Sequence, residues 1–216
     1  MTGQNLRQLL GLRPSSPHLA HFLSSLANSG SVPVPDVKSY PDAVYLNYYT
    51  LGFSLLFSPL PGYKPAVGAT LAQMVDEKLA LESIDVYNIP SRASTNARSS
   101  GTSTRIAELV FSSFPLPSLV LDVGGETEDK DGKTQTRPDH LNVTRDTTGK
   151  DFVACLGEPK RKGGGGGPSS GSIGIWCEWS KDGLMVEFGG DEAKGPQAWE
   201  RGKDAVWKVI TLFSLE

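Results

Sequence analysis

Cysteine is almost absent from this chain: Cys155 and Cys177 are the only two among 216 residues. That count excludes a disulfide framework. Both fall in apolar stretches, Cys155 in a helix-like segment and Cys177 between two tryptophans, so both read as reduced, buried thiols. Histidine is nearly as scarce, with His18, His21 and His140. His18 and His21 stand three apart and could share a helix face. A stable zinc site wants three or four ligands, and no cysteine or carboxylate lies near them in sequence, so no metal site is expected. No apolar run approaches the roughly 18–20 residues that span a bilayer. The first fourteen residues lack the charged, apolar and small-residue order of a secretory leader, so a cytoplasmic location is expected. Asn142-Val143-Thr144 is a glycosylation sequon in form, and it carries meaning only in a secreted chain.

Positive charge is also lacking. Lys+Arg 21 against Asp+Glu 24 leaves a net charge of −3, whereas a dedicated nucleic-acid binder is normally basic. Three catalytic or phosphate-binding signatures fail as well. No Gly-x-Ser-x-Gly elbow exists. Gly132-Lys133-Thr134 resembles the end of a P-loop, but Thr127 stands where its leading glycine belongs. The five glycines from Gly163 to Gly167 miss the dinucleotide pattern, because Pro168, Ser169 or Ser170 occupies a required glycine in each register.

What the chain does contain is an apparent repetition. Tyr45, Tyr48, Gly52, Phe53, Leu55 and Phe57 return without a gap as Trp176, Trp179, Gly183, Leu184, Val186 and Phe188. Each copy follows an apolar segment ending in Leu-Gly (Leu6 to Gly11, Phe152 to Gly157), and each precedes a closing apolar strand. Internal repetition sets architecture. The expected fold is α+β: two tandem modules of short helix, antiparallel hairpin and closing strand around a shared core. Module 1 covers residues 1–90 and module 2 residues 106–216. Between them, residues 91–105 (SRASTNARSSGTSTR) have almost no apolar content and read as a linker or long loop.

Local signals fill in the elements. Leu6, Leu9 and Leu10 suggest a short helix stopped by Gly11. Leu19, Phe22, Leu23 and Leu26 recur at helical spacing after Ser15-Ser16-Pro17, a hydroxyl cap with proline in the first turn. Residues 28–39 read as a Gly/Pro/Ser connection. Strands are expected at 44–50, 53–57, 81–88, 119–123, 141–144, 173–180, 184–188 and 205–215. Residues 69–78 suggest a short helical excursion, and 198–201 one helical turn. Residues 126–139 read as a solvated hairpin loop. Thr148 and Asp151 are spaced like a capping box for a helix over 150–156. Lys181-Asp182-Gly183 signals a tight hairpin.

Helix, Leu156-Gly157-Glu158-Pro159, aromatic strand, then Gly183, Leu184, Val186 and Phe188 together resemble the small modules of the outer-membrane BamE lipoproteins. The tandem copy resembles the duplicated architecture of the β-lactamase inhibitor protein family. The chain departs from both in lacking a lipoprotein signal and secretory disulfides, and in its Ser- and Gly-rich insertions. The resemblance implies protein binding rather than catalysis, although fold does not fix function.

Candidate chemistry concentrates in module 2. Lys160, Arg161 and Lys162 precede Gly163, Gly165 and Gly167, and such a run offers backbone N–H groups beside cations. The loop precedes a strand rather than a helix, which is the wrong order for helix-start anion binding. A flexible connection therefore stands beside the binding reading. Trp176 and Trp179 fall on opposite faces of a regular strand, one core and one exposed. An exposed tryptophan, Trp176, Trp179 or Trp199, near the cations would make a stacking surface or hot spot. Glu178 and Glu187 lie on the two hairpin arms as cross-strand neighbours, and two carboxylates suffice for hydrolysis only in a defined cleft. The expected function is a non-enzymatic interaction protein of inhibitor or immunity type, with no cofactor, whose protein partner presents an acidic surface to Lys160–Lys162. The alternative is an enzyme or sensor holding a phosphorylated small molecule at the Lys160–Gly167 loop. RNA contact is a third reading, opposed by the net charge.

Overall fold

Alternation decides the architecture. Along Val44–Tyr48 (β2), Val44, Leu46 and Tyr48 are buried while Tyr45 and Asn47 point the other way. The same period recurs in Leu184–Phe188 (β11), where Leu184, Val186 and Phe188 are buried. In a computed structural model of the chain, residues 5–27, 30–89, 111–123, 125–128, 134–165 and 174–215 are described. Linker residues 91–105 lie outside them. The remaining strands are Asp36–Ser39 (β1), Phe53–Pro59 (β3), Leu79–Tyr87 (β4), Ser118–Asp122 (β5), Glu126–Glu128 (β6), Thr134–Thr136 (β7), His140–Thr144 (β8), Arg161–Gly163 (β9), Trp176–Trp179 (β10) and Trp207–Phe213 (β12). Among the described residues three short α-helices accompany them: Pro17–Leu26 (α1), Gly149–Leu156 (α2) and Ala198–Arg201 (α3). The fold is α+β.

Eight strands form one antiparallel sheet in the order β1-β2-β3-β4-β12-β11-β10-β9. The order reads alike from both ends. Residues 36–87 supply one half, residues 161–213 the other, and β4 pairs with β12 at the seam. The correspondence extends to register. Phe53 lies opposite Val86 and Leu184 opposite Leu212; Leu55 lies opposite Ile84 and Val186 opposite Ile210. Both halves carry a bulge at the same step, between Leu56 and Phe57 in β3 and between Glu187 and Phe188 in β11.

The hairpin turns also match, and they correct the expectation of a tight Asp-Gly loop. Each is a 3-10 turn, Tyr49–Leu51 or Ser180–Asp182, closed by a left-handed glycine. Gly52 has φ 56° and ψ 42°, and Gly183 φ 51° and ψ 43°. A Cβ would lie 2.2 Å from the Ser112 carbonyl oxygen at Gly52 and 2.3 Å from that of Phe213 at Gly183. Backbone conformation and backbone crowding both demand glycine here.

Helices cover one sheet face. α1 buries Leu19, Phe22, Leu23 and Leu26, with the Phe22 ring 5.5 Å from Phe53. α2 buries Phe152, Cys155 and Leu156, with Phe152 at 6.2 Å from Trp179 and 6.0 Å from Phe188. Its cap is the expected box: the Thr148 N–H and hydroxyl donate to the Asp151 carboxylate at 2.8 and 2.7 Å. α1 lacks the expected hydroxyl cap at Ser16. The neighbouring Ser15 instead donates its N–H and hydroxyl to Asp76.

Backbone pairing identifies which helices correspond. Leu81 donates to Leu12 just before α1, and Trp207 to Thr147 just before α2. Leu81 and Trp207 share a register, opposite Phe57 and Phe188. The counterpart of α2 is therefore α1, not the Leu6–Gly11 segment, which is a 3-10 turn over Leu6–Leu9. That segment docks on the other half: the Arg7 guanidinium donates to the Asp182 carbonyl. Conversely, Ser112 and Phe114 donate to Tyr49 and Tyr87 of the first half. Chain segments thus cross the boundary expected between modules. β5 and β8 pair as a small second sheet whose Leu119, Leu121, Leu141 and Val143 join the core. β6 and β7 form a hairpin, but the neighbouring Arg137 is not solvated. Its guanidinium makes two 2.9 Å bonds to Asp182, and both side chains are under a tenth exposed.

Candidate functional site

The glycine-rich segment is where the sequence reading and the structure differ most. Arg161, Lys162 and Gly163 form β9, an edge strand paired with Glu178, Cys177 and Trp176, rather than a flexible connection. The Lys160 N–H adds a bond to the Glu178 carbonyl at 2.9 Å. Packing explains the glycines. A Cβ on Gly163 would sit 2.7 Å from the Trp176 indole, and one on Gly164 2.2 Å from the Gly174 carbonyl oxygen. At Gly165 it would meet Ile175 at 2.6 Å and Ala198 at 3.0 Å. The glycines let an indole lie over backbone, so entropy lost by ordering them is offset by contact. Gly167 lies outside the described residues.

Two cations stack on two tryptophans here. Arg161 is 6.0 Å from the Trp176 ring and 3.1 Å from Glu178. Lys162 is 5.6 Å from Trp199, which is 45% exposed. Lys160 is exposed beside them. Trp179 does not belong to this group. Three positions along the strand from Trp176, it turns into the core, packs on Phe152 and donates its indole N–H to the Gly157 carbonyl. That removes Trp179 from the binding candidates.

The sheet face opposite the helices has its own order. One row crosses all eight strands: Asp36, Asn47, Ser54, Asp85, Thr211, Met185, Glu178 and Arg161. A second runs Lys38, Tyr45, Leu56, Ser83 and Phe213; a third runs Tyr87, Val209, Glu187, Trp176 and Gly163. Ser83 and Ser54 are buried by neighbours, and most other members of these rows are half-buried. Local bonds tie the face together. Ser54 donates to Asn47 at 2.8 Å, Tyr49 to Asp36 at 2.8 Å and Thr211 to Asp85 at 2.7 Å. Phe111 stacks on Tyr87 with ring centres 3.9 Å apart and meets Tyr49 edge-on at 4.7 Å. Burial pushes the Tyr49 hydroxyl up to about 12, and the Asp36 bond adds to the shift. That same bond, with Lys38, holds the Asp36 carboxyl low.

Glu178 and Glu187 are diagonal rather than direct neighbours: Glu178 faces Met185 and Glu187 faces Trp176. Each carboxylate is engaged, Glu178 by Arg161 and Ser180, Glu187 by Lys208 at 3.1 Å. Both cysteines are free and buried, and burial raises both thiols, Cys177 to about 11. His18 and His21 lie exposed on α1. Among the described residues no group of three or more His, Cys, Asp or Glu is placed to hold a metal ion. Among them, too, no helix is long and apolar enough to cross a membrane. Two hollows are a cavity of about 10 Å³ beside Trp207 and Phe114, and an open groove of about 510 Å³ near Leu12, Arg13 and Leu79. Neither touches the Arg161–Trp176 corner. Compared with protein-family models, curated proteins and solved structures, the chain matches none.

Proposed function

We propose that this chain is a non-enzymatic interaction protein of inhibitor or immunity type, acting in the cytoplasm, that grips a protein partner with the open face of its eight-stranded sheet. The observation that carries the reading is the face itself. Aromatic, aliphatic and polar side chains stand in three rows, without a helix over them among the described residues. Aromatic anchors in a polar frame are the composition of binding hot spots. The strand-by-strand match of the halves supports the resemblance to tandem inhibitor modules and descent of both halves from one ancestral unit. Two free, buried thiols fit a reducing compartment.

At one end of the face, Arg161 with Trp176 would meet an acidic partner surface, and Lys160 and Lys162 with Trp199 would extend that contact around the β9 edge, since Lys162 pairs with the core-facing Cys177. Replacing the three cations by alanine should slow association and flatten its salt dependence. Trp199→Ala should raise the dissociation rate, with little change in stability for so exposed a ring. A partner bound unchanged by both variants would remove this corner from the interface. Thermal-shift screening with nucleotides and sugar phosphates tests the rival reading: stabilisation by one of them would move the function to a small anion.

A further inference from the structure

Among the described residues, one carboxylate at the centre of the open face has no cation to answer it. Its neighbours in the rows do: Asp36 lies 3.1 Å from Lys38, Glu178 3.1 Å from Arg161 and Glu187 3.1 Å from Lys208. Asp85 receives the Thr211 hydroxyl at 2.7 Å, its one hydrogen bond to a side chain among the described residues. The register places Asp85 and Thr211 on the seam between the halves. Asp85 faces Ser54 and Thr211 faces Met185, equivalent positions of β3 and β11, and the two also face each other. Along its own strand Asp85 has Ser83 and Tyr87 on the same face, with Val209 and Phe213 across the seam. None of these carries positive charge. Tyr87 is fixed by its stack on Phe111.

We propose, resting on the open face being the docking surface, that Asp85 receives a basic side chain, Lys or Arg, from the partner protein. A carboxylate taking one hydroxyl bond keeps capacity for further donors. An ammonium or guanidinium there would gain a charge-assisted bond in a setting less screened than water. Val209, Met185 and Leu56 offer apolar surface to the methylene stem of the arriving cation. Burial already pushes the Asp85 carboxyl pKa up, with Glu187 adding to it, so an arriving cation relieves an existing cost. A partner would then present acidic groups to the β9 corner and one basic residue to the seam, which fixes its orientation.

The test uses the full chain, ¹⁵N-labelled, titrated with n-butylammonium and n-butylguanidinium against n-butanol as the uncharged control. Saturable amide shifts should centre on residues 83–87 and 209–213 with either cation, in the millimolar range expected of so small a ligand. Butanol should not produce them. Asp85→Asn, which still offers an oxygen to Thr211, should weaken the response at least tenfold, and Glu82→Gln should leave it unchanged. Shifts scattered over surface acids, equal shifts with butanol or an undiminished response in Asp85→Asn would each overturn the assignment. The wild-type titration alone locates the site, so an unfolded variant does not shield the proposal. A captured partner that loses affinity with the Lys160–Lys162 variant but not with Asp85→Asn would overturn this inference and leave the docking surface standing.

Discussion

Removing Arg137 should destabilise the fold severely, because it strands a buried charge. The guanidinium makes two 2.9 Å bonds to Asp182, with side chains 8% and 7% exposed. Asp182 ends the turn that leads into Gly183, and its carbonyl holds Arg7. In Arg137→Met the methylene volume is largely kept, but the carboxylate loses its counter-ion away from water. Breaking one side of such a pair costs about 3–5 kcal/mol. At about 2–4 °C per kcal/mol for a chain of this size, the melting temperature should fall by about 6–20 °C. Urea unfolding followed by tryptophan fluorescence gives the free energy directly. The double variant Arg137→Met, Asp182→Asn should recover part of the loss, since the carboxylate without its counter-ion is then gone while Arg7 keeps Asp122 nearby. A loss under about 1 kcal/mol for Arg137→Met, the range of an exposed pair, would mean that water reaches the site and that the packing of the β6–β7 hairpin on the turn is wrong.

Gly52→Ala and Gly183→Ala should each cost more than the roughly 1 kcal/mol of a left-handed alanine, because each Cβ also meets a backbone carbonyl at 2.2 or 2.3 Å. Urea midpoints of the two variants should fall alike, and a neutral result at either would break the correspondence of the turns. Cys177, its thiol raised to about 11, should resist disulfide reagents at pH 8 until the chain unfolds, with a thiolate population at least about a hundredfold below that of a free cysteine. Fast labelling of the folded chain would contradict its burial. Asp85→Asn should stabilise the chain at neutral pH. The raised folded pKa means that the native state holds the proton more tightly, so the ionised carboxyl costs stability as pH rises above the ordinary aspartate range. Thermal melts should show the gain at pH 7 and lose it below about pH 4. An equal gain at both would assign it to something other than charge.

The inner strands were legible from sequence because each carries a period-2 pattern that one buried face enforces. Val44–Tyr48 and Leu184–Phe188 alternate cleanly, and the structure has them as strands. The Thr148–Asp151 cap was legible for a local reason, a side chain closing on a backbone within one turn, and the turn at Ala198–Arg201 is likewise a local, single-turn element. Both edge strands escaped. Asp36–Ser39 and Arg161–Gly163 bury little, so neither carries an apolar alternation, and glycine in the second argued against any regular structure. What holds them is pairing with β2 and β10, a nonlocal fact. The ion pair between Arg137 and Asp182 spans 45 positions and had no sequence signal beyond two charges in polar loops. At the candidate corner, strand alternation placed Trp176 and Trp179 on opposite faces. It could not say that Gly163 would lie beneath the Trp176 ring.

The two halves agree where they are buried and diverge where they are open. Leu46 and Cys177, Tyr48 and Trp179, Leu55 and Val186, Phe57 and Phe188 hold equivalent core positions, all apolar or aromatic. On the open face the equivalents change character: Asp36 against Arg161, Leu56 against Glu187, Asp85 against Thr211. A symmetric scaffold thus carries an asymmetric surface, as the proposed partner, bound in one orientation, would require. Exchanging the seam pair, Asp85→Thr with Thr211→Asp, tests this directly. The backbone register and the hydroxyl-to-carboxylate bond both have equivalents after the exchange, so circular dichroism should report an unchanged fold. The carboxylate, however, would stand between Val209 and Phe213 on its own strand instead of Ser83 and Tyr87, with Met185 replacing Ser54 opposite. Poorer polar company should cost about 1–3 kcal/mol at neutral pH, the scale of an imperfectly satisfied buried group, and acidification should restore it. An exchanged chain that fails to fold at any pH would refute the equivalence of the two registers, and one that loses nothing at neutral pH would refute the claim that the surroundings of Asp85 were the more accommodating.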